Sequence, residues 1–195
     1  GRRVVVAYFS RSNTTRSSEL LNGLWHMGVR NYPVIGDFKD GKAKDMNTAY
    51  KNVGGRAKVN EWFVGLYRQY KPEVVVTQDV NGEYGHSQHK IVSEAAFNAI
   101  ALAANEDEFT DLTVAHGTWE VKKLYRHLWK ENQITMDWSV PLSSMNGATG
   151  IELADSAYEI FHKTQETSGQ SVLTTGVEWD NTAFGLVHTT VGLDV

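Results

Sequence analysis

The sequence predicts an α/β fold with a mainly parallel sheet, and three observations carry that prediction. Val4-Val5-Val6-Ala7-Tyr8-Phe9 is a continuous apolar, β-branched and aromatic run, the pattern of a strand buried on both faces. Val74-Val75-Val76-Thr77 repeats the pattern after Lys71-Pro72. Between and after these runs, apolar residues recur at helical spacing, so strand and helix alternate along the chain.

Each element follows in order. A polar loop, Ser10 to Thr15, leaves the first strand, and Arg16 to Met27 places Leu20, Leu21, Leu24 and Trp25 on one helical face, with Gly28 as the stop. A short strand is expected at Tyr32 to Ile35. Val59, Trp62, Phe63, Leu66 and Tyr70 then mark one face of an amphipathic helix. The strand Val74 to Thr77 runs into a loop that begins at Gln78, and Ser87 to Ala104 returns to a helical pattern. Trp119 to Trp129 reads equally as a strand or a short helix. Leu142 to Gly150 is loop-like, and Ile151 to Gln165 is expected as a helix with Leu153, Ala154, Ala157, Ile160 and Phe161 turned inward. In open α/β sheets ligands gather at the carboxyl ends of strands, which directs attention to the loop after Thr77.

Length and composition bound the rest. At 195 residues, with 41% apolar and 11% aromatic content, the chain is expected to form one domain spanning 1–195 around one core. Lys and Arg total 19 against 23 Asp and Glu, a formal charge of −4, without any run of five or more like charges, which argues against a nucleic-acid partner and a polybasic membrane surface. No apolar run approaches the roughly 20 residues that span a bilayer. The absence of cysteine removes disulfides, thiolate zinc sites and cysteine nucleophiles, and is compatible with the cytoplasm or with export. Oligomeric state is left open.

The segment Asp79-Val80-Asn81-Gly82-Glu83-Tyr84-Gly85-His86-Ser87-Gln88-His89 concentrates two glycines, two histidines, two carboxylates and a tyrosine directly after a strand. Glycine admits positive φ and close approach to a ligand, and histidines three positions apart face neighbouring surfaces of a helix's first turn. One imidazole can bind a metal while the other meets a substrate. The same residues also suit a polar turn capped by its own side chains, and spacing leaves both readings open.

Pro72 to Asp79 together with Asn81 to Val92 closely resembles the second signature of the PIG-L/LmbE-like family of zinc-dependent N-acetylglucosamine-type deacetylases, with Ser87 standing where many members have proline. Arg16 with Glu19, Gly28 and Val29 resembles the family's post-strand helix. Ala154, Tyr158, His162 and Gln165 are similar to its late helix, and Phe184-Gly185-Leu186 with Val191-Gly192 to a tail of some bacterial members. The resemblance implies a Rossmann-like, three-layer LmbE-like fold that hydrolyses the N-acetyl group of a small amino-sugar derivative. It implies that His89 ligates zinc or a similar divalent ion, and that His86 stabilises the oxyanion or protonates the leaving amine. It further implies that Arg16 faces the substrate. Tyr84 either contacts the tetrahedral intermediate or closes the turn. Asp79 either orients a histidine as a supporting carboxylate or forms an Asx turn with Asn81.

The family's early His-Pro-Asp-Asp-Glu motif, which supplies two further ligands and the general base, is missing from these 195 residues. A catalytic zinc takes three protein ligands, so the chain as given is expected to bind metal weakly or not at all. The expectation is that an upstream segment carrying the first strand and that motif was removed or left out, and that the C-terminus is also shortened. Two other classes compete. A non-catalytic carbohydrate-binding or degenerate member follows if the early motif is lacking altogether. The Ser/Thr-rich loop Ser10 to Arg16 also resembles the phosphate-binding opening of a flavodoxin that binds FMN, although Asn13 stands where glycine is favoured and the two-histidine loop is left unexplained.

Overall fold

Helices and strands do alternate: among the described residues there are six α-helices and six strands in two sheets. The computed structural model describes residues 3–11, 13–165 and 182–194. The chain divides into two compact units, Gly1–Phe38 with Met136–Asp180, and Lys39–Thr135 with Asn181–Val195.

In the first unit, β1 (Ala7–Arg11) pairs with β2 (Val34–Lys39). The strand begins later than the apolar run, and Val4 is half exposed. Phe9 is the residue of β1 that becomes buried, its ring stacked on Phe38 at 4.2 Å. Helix α1 (Thr14–His26) starts where the Asn13 side chain accepts the Arg16 N–H at 3.0 Å, and the chain turns out of it through Gly28 at φ 87°. It packs on α6 (Gly150–Phe161), where His26 bonds the Ser156 hydroxyl at 2.7 Å. Helix α6 opens on a full capping box between Thr149 and Glu152. It stops earlier than the pattern predicts, and Ile160, expected inside, is half exposed while Ala157 is buried. The side chain of Gln165 and residues 166–181 lie outside the described residues.

The second unit holds α2 (Met46–Asn52), α3 (Arg56–Tyr70), β3 (Val74–Thr77), α4 (Ser87–Ala104), α5 (Thr110–His116), β4 (Lys123–His127), β5 (Gln133–Thr135) and β6 (Ala183–Thr189). Its sheet runs β3-β4-β6-β5, with β3 and β4 parallel and the other two pairings antiparallel. The expected parallel character therefore holds for β3 and β4, whereas the C-terminal strand β6 enters antiparallel between β4 and β5 and makes this sheet mixed. Gly185 of β6 permits that insertion, since a Cβ there would lie 2.3 Å from the Trp129 carbonyl. Trp119 to Trp129 resolves as a strand, β4.

The core of this unit forms where α4 packs on α3 and α2. Ile91, Ala95, Ala99 and Ala103 of α4 meet a layer that includes Val59 and Val64 of α3, all buried. Alanine along one face lets the helices approach closely, and burying an isoleucine or valine contributes about 1.5–3 kcal/mol each. Strand β3 is not buried on both faces as the apolar run predicts. Val74 and Val76 alternate onto one face of the sheet and are each about half exposed. The Trp119 indole donates to the Pro72 carbonyl at 2.8 Å. No helix among the described residues is long and apolar enough to cross a membrane.

Candidate functional site

Parallel pairing of β3 with β4 aligns Thr77 with Arg126, so the chain leaving β3 turns directly beside His127, the last residue of β4. That turn is tight. Asp79 accepts the Asn81 N–H at 3.1 Å, and the Gly82 N–H returns to the Asp79 carbonyl at 2.9 Å. Gly82 sits at φ 73°, and a Cβ on it would fall 2.4 Å from the His86 carbonyl, so glycine alone fits. A single 3₁₀ turn, Glu83–Gly85, carries the chain into α4, with the His86 N–H bonded to the Glu83 carbonyl at 3.0 Å.

His86 is the N-cap of α4. Its Nδ1 accepts the Gln88 N–H at 3.3 Å, which leaves Nε2 as the ring position for a proton in the neutral form. His89 stands in the first turn, its ring centroid 4.7 Å from that of His86 with the planes 35° apart. The sequence expectation of two imidazoles side by side at a helix head is therefore met. Burial holds the His89 imidazole below its usual pKa, and the neighbouring His86 adds to the effect. Glu83, Asp40 and a hydrogen bond to the Glu83 backbone act the other way. The helix N-terminus also disfavours an added positive charge. His89 is thus biased toward the neutral form, the form that binds metals.

The remainder of the helix head is tied down by polar side chains. The Ser87 hydroxyl accepts the Ala43 N–H at 2.9 Å, and the Gln88 amide donates to the Lys39 carbonyl at 2.6 Å, both side chains being buried. Ser93, one turn further, donates to the Gln78 carbonyl at 2.8 Å and pins α4 to the end of β3. A proline at position 87 could not make the Ser87 contact, so the serine has a structural use of its own.

Of the other expected site residues, Asp79 bonds within its own turn, to Asn81, as the Asx-turn alternative has it. Two residues that sequence reasoning did not single out meet at the site. His127 Nδ1 donates to the Glu83 carboxylate, at 2.9 Å to Oε1 and 3.1 Å to Oε2, with both side chains largely buried. Oε1 also accepts the Asp79 N–H at 3.1 Å. Glu83 was in view as one carboxylate of the loop, but His127 is 44 positions away and nothing local marks it. Arg16 lies in the first turn of α1, in the first unit, its N–H on the Asn13 cap. Tyr84 belongs to the 3₁₀ turn, and its side chain lies outside the described residues.

His89, biased toward the neutral form, is of the kind that ligates zinc. The described residues nevertheless contain no group of three His, Asp or Glu side chains able to surround an ion, and a catalytic zinc needs three. The described residues do not make a zinc site.

An α/β chain with a histidine pair at a helix head, set at the carboxyl end of a parallel strand pair, is the class that fold and site define. The family is more specific. Residues 5–100 match the family described as PIG-L, GlcNAc-PI de-N-acetylase, and this part of the chain is a PIG-L family domain. A 1D-myo-inositol 2-acetamido-2-deoxy-alpha-D-glucopyranoside deacetylase 1 of Frankia casuarinae is 29% identical over 139 residues, covering 66% of this chain and 44% of that protein. A deacetylase of the same description from a Nocardioides species is 29% identical over 133 residues, 61% of this chain and 43% of its own. Another, from Geodermatophilus obscurus, is 42% identical over 62 residues, 32% of this chain and 20% of its own. The chain spans less than half the length of these curated relatives.

Proposed function

We propose that this chain carries the later half of a site that hydrolyses the N-acetyl group of an N-acetylglucosamine-type derivative, within a Rossmann-like, LmbE-like arrangement. The observation that carries the reading is the paired imidazoles of His86 and His89 at the head of α4, inside the segment that matches the family. Relatives named as deacetylases of an N-acetylglucosaminyl inositol support the substrate class.

In this reading His86, with its Nε2 available, donates to the developing oxyanion or to the leaving amine. His89, neutral by burial, is one ligand of a zinc or similar divalent ion whose set the described residues do not complete. Arg16 and Tyr84 contact the sugar derivative, and Asp79 supports the histidine loop through its turn.

The test is acetate release from N-acetylglucosaminyl inositol by the whole natural protein with zinc supplied. Hydrolysis is expected where the remaining zinc ligands are present, with His86→Ala lowering kcat by about 10²–10³-fold, the usual cost of removing an oxyanion donor. Sugar binding without acetate release would replace the enzyme reading with the carbohydrate-binding one.

A further inference from the structure

Three donors converge on Glu83. Its carboxylate accepts from His127 Nδ1 on β4 and from the Asp79 N–H at the end of β3. Its carbonyl accepts the His86 N–H. One residue thus links two strand ends to the head of α4, where the His86 ring lies 4.7 Å from that of His89. His127 is held in turn by the Phe184 ring of β6, with centroids 5.2 Å apart, and its side chain is only 8% exposed. A side chain clamped at the carboxylate leaves the carbonyl of the same residue little freedom, and that carbonyl holds the backbone N–H of His86 at the head of α4.

We propose that Glu83 and His127 form a positioning pair for the deacetylase site: the imidazole of His127, bonded to the Glu83 carboxylate, fixes the peptide unit that orients His86 and His89. This rests on the function proposed above for its catalytic consequence, but not for its geometric one. Nothing in the family match or in the names of the relatives assigns a role to either residue. The pair joins residues 44 apart in sequence, and both are buried where a solvent-exposed ion pair would contribute little. An acidic side chain buried against an imidazole, at the junction of three elements, does more than cover a surface.

Two variants of His127 separate positioning from packing. His127→Leu keeps the volume and removes the donor, whereas His127→Asn restores an N–H near the position of Nδ1. Long-range proton–nitrogen NMR of the histidine rings, on the whole chain, reads the tautomer and hydrogen bonding of His86 and His89, which change when the rings are repositioned. The expected result is that His127→Leu shifts the ring resonances of both and that His127→Asn returns them toward wild type. Acetate release should follow the spectra: kcat falls about tenfold in His127→Leu with KM little changed, and recovers in His127→Asn. Ring resonances of His86 and His89 that stay in place in a folded His127→Leu protein would overturn the proposal, whatever the loss in thermal stability. If the whole natural protein, supplied with zinc, releases no acetate, the enzyme reading fails, and the spectra alone decide the positioning pair.

Discussion

The two ends of α4 are built on opposite plans. At its C-terminus the fully buried Arg68 of α3 donates to the carbonyls of Leu102, Ala103 and Asn105, and to that of Phe109 beyond, at 2.7–3.1 Å. A guanidinium suits this task, since its fixed fork of donors meets several orphan carbonyls and its charge matches the negative end of the helix. At the N-terminus the cap is an imidazole, outside the preferred set of Ser, Thr, Asp and Asn, and its bond to the Gln88 N–H is long. A second, buried imidazole follows three residues later. The C-terminal end is arranged for stability, and the N-terminal end holds groups that stability alone would not select.

The largest effect expected from breaking this contrast is at Arg68. Arg68→Ala leaves several buried carbonyls without donors, so a loss of at least about 3 kcal/mol in urea unfolding is expected. A loss under about 1 kcal/mol would show that water serves the carbonyls as well as the guanidinium does.

The opposite sign is expected at the other end. His86→Asn supplies a preferred cap and should raise stability by about 0.5–1 kcal/mol while lowering acetate release by up to about 10²–10³-fold. A destabilised His86→Asn protein would mean that the ring contact with His89 matters more to folding than the cap does.

The smallest effect sharpens the picture of His89. Its folded-state pKa lies below the usual 6.5, so the unfolded chain takes up a proton first as pH falls. In chelator-treated protein the contribution of His89 is therefore complete above about pH 6.5, declines below that value and levels off under the folded pKa. Urea midpoints compared between wild type and His89→Gln across this window read the difference, and an unchanged pH slope in the variant would contradict the assignment.

Much of the helix head was legible in advance. The period of the apolar residues placed α4 at Ser87 to Ala104, and the glycines before it announced a turn at positive φ, which Gly82 adopts. The histidine spacing foretold two facing rings. The C-terminal half was less legible, because β4 mixes Lys123, Arg126 and His127 into an otherwise apolar strand and thereby obscures the alternation on which a strand assignment rests. The inward face of α3 was only partly legible, since buried Arg68 looks like a surface residue until its four carbonyl partners are known.

Local chemistry, then, is what the sequence determined alone: which segments are helix and strand, where the chain turns, and that two imidazoles share the first turn of one helix. These depend on residues a few positions apart, whose geometry the backbone itself enforces. Tertiary structure decided that β6 inserts antiparallel between β4 and β5, that Val74 and Val76 lie half exposed on one face of the sheet, and that His127 reaches Glu83. Each of these depends on sheet register and packing between segments far apart in sequence, which no local pattern encodes.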